Sequence, residues 1–295
     1  MTHRPSSLDE LAAAITDAAG HGQALRLVGR GTWLEGGAPV DAGAEPLHLD
    51  AFSGIIEYEP GDLTITVGAA TTIAELDAVT AAHGQWCPLA PWGGDDGSVG
   101  ATIATATGGP HAHALGLPRD LVLGLECVDG TGKVLRPGGK VVKNVAGFDL
   151  VRLLTGSWGS LAAITRISLR LRARPAVDET WMVLVAGDPA AAQHALRQCP
   201  TPPVACEVLP TDARPAFTPL LVRIAGNAAF VDAARGAVRR LGEAQARDAD
   251  EWTRLRARAH AAAPRTARTA AVRALNDGVK RAFDPANILN PGIMG

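Results

Sequence analysis

The stretch GGKVVKNVAGFDLVRLLTGSWGSLAAITRISLRLR, from Gly138 to Arg172, constrains the chain more than any other. A polar, Gly-punctuated loop runs into a short apolar helix, then a Gly-Ser-x-Gly turn, then a long strand rich in apolar residues. Gly156 and Gly159 bracket Ser157 and Trp158, so the backbone can approach a ligand where a Cβ would collide, and Ser157 offers a hydroxyl at that point. That order suits a chain wrapped around a bound nucleotide, with a large planar cofactor as the expected ligand.

A chain of 295 residues with 47% apolar composition can bury a real core and has room for two modest domains. Its 28 basic and 30 acidic residues nearly cancel, which argues against a nucleic-acid groove or a polybasic membrane anchor and leaves small metabolites as partners. The opening MTHRPSSLDELAAAITDAAG lacks a long apolar run and carries acids where a signal peptide is uncharged, so a cytoplasmic protein with no direct membrane insertion is expected. Cys87, Cys127, Cys199 and Cys206 form no C-x-x-C pair, which indicates neither a disulfide framework nor an iron–sulfur cluster in this chain.

Ser7 and Glu10 form a capping box for an opening helix that ends near Gly20 and Gly22, and strand Leu25 to Val28 follows. Ile55–Tyr58 and Leu63–Val67 flank the turn Glu59-Pro60-Gly61-Asp62 and read as a hairpin with one wet, threonine-bearing face. Thr72 and Glu75 cap a second helix that stops at Gly84, and Leu121–Val128 with Lys133–Leu135 read as another hairpin. After Arg172-Ala173-Arg174-Pro175 a smaller β-α-β-β-α layer begins: strand 181–185, helix 189–198, strands 204–209 and 220–224, helix 227–241. Residues 243–270 read as helical, with many Arg and Ala.

Several segments carry candidate chemistry. Gly29-Arg30-Gly31-Thr32-Trp33 follows a strand, but Leu34 stands where a Rossmann loop needs its third Gly, and Glu35-Gly36-Gly37-Ala38-Pro39 cannot open a helix. A plain turn and a nest of N–H groups around a pyrophosphate both fit, with Thr32 a supplementary donor in the second case. Ser98-Val99-Gly100-Ala101-Thr102 opens a short Ala/Thr helix, either a phosphate-binding N-terminus or a close-packed Gly/Ala crossing. Asp95 and Asp96 would repel phosphate and are assigned to a solvated loop before it. His111 and His113 would be metal ligands only if they shared one strand face, and with no third ligand nearby no metal site is expected. Arg119-Asp120 reads as a structural ion pair at a strand start.

Taken in order, these segments resemble the flavin-binding domain of the vanillyl-alcohol oxidase and p-cresol methylhydroxylase family, and among its members the FAD-binding subunits of bacterial glycolate oxidases. Lys143-Asn144-Val145-Ala146-Gly147-Phe148-Asp149-Leu150 is similar to the family's Lys-Asn-x-Ala-Gly-Tyr-Asp-Leu, with Phe148 replacing Tyr. Phe283-Asp284-Pro285-Ala286-Asn287-Ile288-Leu289-Asn290-Pro291-Gly292 is similar to its C-terminal signature. The resemblance spans residues 1 to 172 and the last 17. It implies an α+β fold: a two-subdomain FAD-binding domain of the p-cresol methylhydroxylase type over 1–173, a small α+β substrate or cap domain over 174–265, and a C-terminal segment, 266–295, that returns to the FAD domain.

The resemblance further implies dissociable, non-covalent FAD, because Thr32 stands where some members carry a flavin-linked His. It places the cofactor against Gly29, Arg30, Gly31, Thr32 and Trp33, then Ser98, Val99, Gly100, Ala101, Thr102 and Ala104, then Thr107, Gly108 and Gly109. Asn144, Gly147, Gly156, Ser157, Gly159, Ile164 and Thr165 complete that set. Gly31→Val and Gly156→Val should therefore lose FAD by steric exclusion while the fold persists. His111 and His113 would lie near the flavin ring, one to orient a carboxylate or act as a base, and Lys143 could stabilise reduced flavin. No catalytic base is assigned, and Pro110-His111-Ala112 departs from the arginines usual in glycolate oxidase subunits. The expected function is an FAD-binding oxidoreductase subunit of a 2-hydroxy-acid (glycolate) dehydrogenase complex. Its partners would be a second flavoprotein subunit and an iron–sulfur subunit, with any membrane association made through a partner. A self-sufficient FAD oxidase of a small alcohol and a non-catalytic structural subunit are the alternatives.

Overall fold

The computed structural model describes residues 3–139, 149–210, 216–258 and 270–294. Helix α1 (Leu8–His21) starts where the Ser7 hydroxyl accepts from the Glu10 N–H and ends at Gly22, whose φ of 63° suits a residue without a Cβ. The Glu10 carboxylate accepts from the N–H and hydroxyl of Ser6, both at 2.8 Å, so Ser7 remains the cap while the returning half of the expected box falls one residue earlier. Strand β1 (Leu25–Val28) pairs in parallel with β2 (Glu45–His48). A hairpin of β3 (Ile55–Glu59) and β4 (Thr64–Gly68) precedes α2 (Ile73–Ala81), which has the complete Thr72–Glu75 capping box, and the short β5 (Gln85–Trp86). Then come α3 (Val99–Thr105), the single turns α4 (Ala112–Leu115) and α5 (Pro118–Leu121), and the strands β6 (Val122–Asp129) and β7 (Val134–Leu135). Helix α6 (Leu150–Leu154), β8 (Ala162–Arg170) and β9 (Arg172–Ala173) complete this part.

Strands β3-β4-β8-β6-β7 form one antiparallel sheet in that order. Ile65, Ile167 and Leu169 from its strands meet Ile103 of α3 and Leu154 of α6, all fully buried. Each such side chain contributes about 1.5–3 kcal/mol by leaving water. The wet face expected for the first hairpin is not found on β4, where Thr66 is 4% exposed and bonds Ser168 of the neighbouring β8 across the strands at 2.9 Å. Exposure falls on the edge strand instead, at Ile55 and Ile56.

The second unit comprises β10 (Val177–Ala186), α7 (Pro189–Gln198), β11 (Ala205–Val208), β12 (Phe217–Gly226), α8 (Ala228–Arg239) and β13 (Gly242–Arg247), followed by α9 (Asp250–Arg258). Its antiparallel order, β11-β12-β10-β13, packs Val183, Val222 and Ile224 against Leu196 of α7 and Val231 and Val238 of α8. Residues 243–247, expected to be helical, are strand β13, because the open edge of β10 takes them from Val185↔Gly242 to Thr180↔Arg247. Ladder pairing outweighs the modest helix preference of Glu, Ala and Arg there.

Helix α10 (Ala270–Phe283) carries the chain back to the first unit. Asp284, fully buried, accepts from the N–H groups of Ile288 and Leu289 and pairs with Lys280, whose ammonium also donates to the Ser160 carbonyl. The tail then runs beside β1, with Leu25 N–H on the Ile288 carbonyl at 2.7 Å and Asn290 N–H on the Leu25 carbonyl at 2.8 Å. The repeated Pro and Asn of the C-terminal signature thus shape a turn that seals the end of the small sheet.

Candidate functional site

A cleft lies between the loop after β1, one face of α3, the start of β8 and the tail. Gly29, Arg30, Gly31, Thr32 and Trp33 form one wall, and Ser98, Gly100, Ala101 and Ala104 the second. Trp158, Gly159, Ile164, Asn290 and Ile293 form the third. No acidic side chain is among the described residues that line it.

Gly31 takes a φ of +77°, a left-handed conformation that suits a residue without a Cβ and lets the loop turn sharply. Among the described residues, the N–H groups of Gly29 through Trp33 meet no acceptor. The Thr32 Oγ1 atom is shielded from solvent and is also unpartnered. A buried polar group without a partner costs about 1–3 kcal/mol, so the orphaned Thr32 hydroxyl, together with the unpaired loop amides and the Arg30 cation on one wall of the cleft, makes an arrangement that can hold an anion.

The start of α3 differs. The N–H groups of Val99 and Gly100 donate to the carbonyls of Thr71 and Ala69 at 2.8 and 2.7 Å, and that of Ala101 to Ser98 Oγ at 3.1 Å. Those donors are therefore already engaged within the protein. Gly100 is small for a packing reason: a Cβ there would stand 2.7 Å from the Ala69 carbonyl oxygen. Val99 and Thr102 face the core, and the Thr102 hydroxyl bonds the Ser98 carbonyl at 3.1 Å.

The remaining expected contacts divide. Thr107 bonds the Thr105 hydroxyl at 2.6 Å, and Gly108 and Gly109 carry the chain out of α3, Gly109 pressed so tightly on the Ala90 carbonyl that no Cβ fits. Gly156 and Ser157 line a separate cavity of about 540 Å³ between α6 and α10, where the Ser157 hydroxyl is buried and unpartnered. Steric exclusion of a ligand from the cleft is thus not the expected effect of a change at Gly156. Thr165 turns its hydroxyl to the Glu126 carbonyl at 3.1 Å. Lys143, Asn144 and Gly147 lie outside the described residues. Trp158 is the cleft residue that Gly-rich patterning missed; its signal was the bulky residue set between two glycines.

His111 sits where the two units meet. It is 4% exposed, packed against Trp86 and Trp252, and its Nε2 accepts from Arg223 at 2.7 Å. Because a guanidinium only donates, the ring proton belongs on Nδ1, which is buried without a partner. Burial, then the charges of Arg223 and Arg256, lower its pKa to about 3. A ring so reluctant to take a proton is a poor general base and a competent neutral donor. Arg223 is held by Asp178 and lies over Trp86, and Arg256 pairs with Asp95 at 2.8 Å. Asp95 is therefore an inter-unit ion-pair partner and not the free loop acid expected, whereas Asp96 is exposed. His113 is exposed, away from the buried His111, and no metal-holding cluster occurs among the described residues. Arg119 and Asp120 approach to 3.9 Å, and Asp120 accepts from the Leu117 N–H at the start of α5.

Residues 1–138 match the FAD binding domain family. The glycolate oxidase subunit GlcE of Escherichia coli is 39% identical over 140 residues, covering 47% of this chain and 39% of that protein. The glycolate oxidase subunit GlcD of Bacillus subtilis is 32% identical over 189 residues, 64% of this chain and 40% of its own length. A D-lactate dehydrogenase of Archaeoglobus fulgidus is 36% identical over 169 residues, 57% of this chain and 38% of its own length. The chain thus aligns with about two fifths of the length of these curated relatives. Among solved structures, an alkyldihydroxyacetonephosphate synthase superposes with a TM-score of 0.70 over 88% of this chain and 55% of the other, at 16% identity, which establishes a shared fold. The segment from residue 1 to 138 is an FAD-binding domain, carried on a fold of the p-cresol methylhydroxylase type.

Proposed function

We propose that this chain is an FAD-dependent oxidoreductase acting on the CH–OH group of a small 2-hydroxy acid, as one subunit of a glycolate oxidase type of complex. The observation that carries the reading is the loop Gly29–Trp33, with its unmatched N–H groups and the orphaned Thr32 hydroxyl, lining a cleft free of acids inside the segment that matches an FAD-binding domain. In this reading the loop amides and Thr32 hold the pyrophosphate, and the small residues of α3, Gly100, Ala101 and Ala104, lie along the cofactor. A bound FAD supplies acceptance of two electrons from a substrate C–H bond. The residues of the chain hold and orient it, and neutral His111 offers Nδ1–H as a donor at the junction of the units. Non-covalent attachment is supported by the absence of a nucleophile in the loop, where Thr32 is the one hydroxyl.

Partnership is supported by the names of two relatives, both subunits of glycolate oxidase. The second unit supports it too, since a single four-stranded sheet with its helices is small for a self-contained substrate site. We extend the reading to a second flavoprotein subunit and an iron–sulfur subunit as the route for electrons, with the assembly in the cytoplasm. A second reading, FAD held as a structural brace, is favoured by the packed junction, where Trp86, His111, Trp252 and Arg223 fill the space between units.

The test is anaerobic. The purified chain should show a flavin spectrum that leaves with the filtrate on denaturation, and glycolate or D-lactate should bleach it, with or without the partner subunits. A bound flavin that no 2-hydroxy acid reduces, even in the assembled complex, would establish the brace. A chain that takes up no flavin would overturn both readings.

A further inference from the structure

Six tryptophans occur in the chain, and two of them, Trp33 and Trp158, stand together in the cleft with ring centroids 6.3 Å apart and planes at 82°. Two features show that the fold accommodates this pair at a cost. Trp158 has a φ of +55°, a left-handed conformation that bulky side chains rarely adopt. Its backbone is fixed on both sides, the N–H on the Ala104 carbonyl at 2.7 Å and the carbonyl on the Asn290 amide at 2.8 Å. Space for the rings is kept by Gly36 and Gly37: a Cβ on the first would stand 2.9 Å from Trp33 Cε3, and one on the second 3.1 Å from Trp158 Cε3. Both indoles remain partly exposed. Edge-to-face packing leaves aromatic surface free for a further ring.

We infer that Trp158, backed by Trp33, is the wall on which the adenine ring of the dinucleotide stacks; this rests on reading the cleft as the FAD site. The choice of adenine follows from the lining. Every residue of the cleft comes from positions 26–164 or 290–293, and none from the second unit, 177–258. A ring that reacts with substrate needs access at the junction of the units, whereas a ring that is only held can lie in an enclosed apolar end. Ile293 lies beside Trp158, both about 3 Å from a Cβ built on Gly37, and Leu49 and Val40 add apolar surface to the same cleft.

The experiment titrates the chain, freed of flavin, with FAD, ADP and FMN, following tryptophan emission and measuring Kd by calorimetry. Wild type should bind ADP, lose indole emission as it does so, and release ADP to FAD. Trp158→Gly, which suits the left-handed backbone, should bind FAD and ADP roughly tenfold more weakly and FMN unchanged, while Trp158→Phe retains most of the affinity. Circular dichroism and melting would establish that both variants fold. If Trp158→Gly weakens FMN and spares ADP, the wall holds the isoalloxazine and the inference falls. If FAD binds wild type and Trp158→Gly alike, the wall holds no ring and the inference falls alone. A wild type that binds neither FAD nor ADP removes the flavin reading along with it.

Discussion

The loops Gly29–Trp33 and Ser98–Thr102 look alike as sequence, since each follows extended chain, carries glycine and offers a hydroxyl. Their hydrogen bonds are opposite. In the first, five consecutive N–H groups and a threonine oxygen have no partner among the described residues. In the second, the first three helical N–H groups are taken by Thr71, Ala69 and Ser98. The glycines differ accordingly: Gly31 supplies a left-handed turn where a Cβ would meet only the Leu34 side chain at an ordinary 3.8 Å, and Gly100 supplies a missing Cβ against a carbonyl. What separates an anion site from a packing crossing is where the amides go, and composition does not record that.

Substitution at the two glycines should therefore break different things. Gly31→Val puts a β-branched residue at positive φ and stiffens the loop, and FAD affinity should fall by about a hundredfold or more, an effect of roughly 3 kcal/mol. Equilibrium dialysis against FAD reads it. Affinity within threefold of wild type would remove the loop from the site. Gly100→Ala should instead cost about 1–3 kcal/mol of stability, a melting shift of several degrees, because Ala69 must give way. A Gly100→Ala chain that melts like wild type and fails to bind FAD would reverse the two assignments. Gly156→Val belongs with Gly100: its φ is +86° and it lines the other cavity, so lost stability is the expected result.

Much of the architecture was legible because periodicity and capping are local. Thr72 and Glu75 marked the start of α2, apolar residues alternating with threonines marked β4, and the Asp129–Gly132 turn marked the hairpin that holds β6. Strand β13 was not legible, since GEAQAR becomes a strand only because β10 presents an open edge to it. The burial of Thr66 in the first hairpin was not legible either, since its partner Ser168 comes from a strand a hundred residues away. Within the site, glycine marked the close approaches but not their purpose. Trp158 escaped attention because its role depends on Asn290, Ile293 and Trp33 meeting around it. Arg223 and Arg256 escaped for the same reason: nothing local announces that they will meet His111 and Asp95.

His111 sharpens the comparison from another side, because its Nδ1 is an orphan in a closed junction and not in an open cleft. An unfolded histidine takes a proton near pH 6.5, whereas folded His111 stays neutral to about pH 3. Its contribution to stability is thus whole above about pH 6.5 and is lost as pH falls, by roughly 1.4 kcal/mol per unit. Urea unfolding of wild type and His111→Asn from pH 7 to 5 should show the wild type losing about 2 kcal/mol more than the variant. Parallel pH profiles would mean that the ring is protonated, or solvated, in the folded protein.

The smallest effects decide between the two hydroxyls. Thr32→Ala removes a group with no partner inside the protein, so stability should hold while FAD affinity drops about fivefold, the value of one neutral hydrogen bond near 1 kcal/mol. Ser98→Ala removes the acceptor for the Ala101 N–H at the start of α3 and should cost about 1 kcal/mol of stability. Because the Ser98 hydroxyl is already engaged by the Ala101 N–H, its effect on FAD should be smaller than that of Thr32, and melting curves with and without FAD separate the two terms. If Ser98→Ala keeps the melting point of the free chain and abolishes the rise on adding FAD, while Thr32→Ala does neither, the anion sits on α3 after all. The engaged amides of that helix would then have to exchange Thr71 and Ala69 for phosphate, which requires α3 to move on binding.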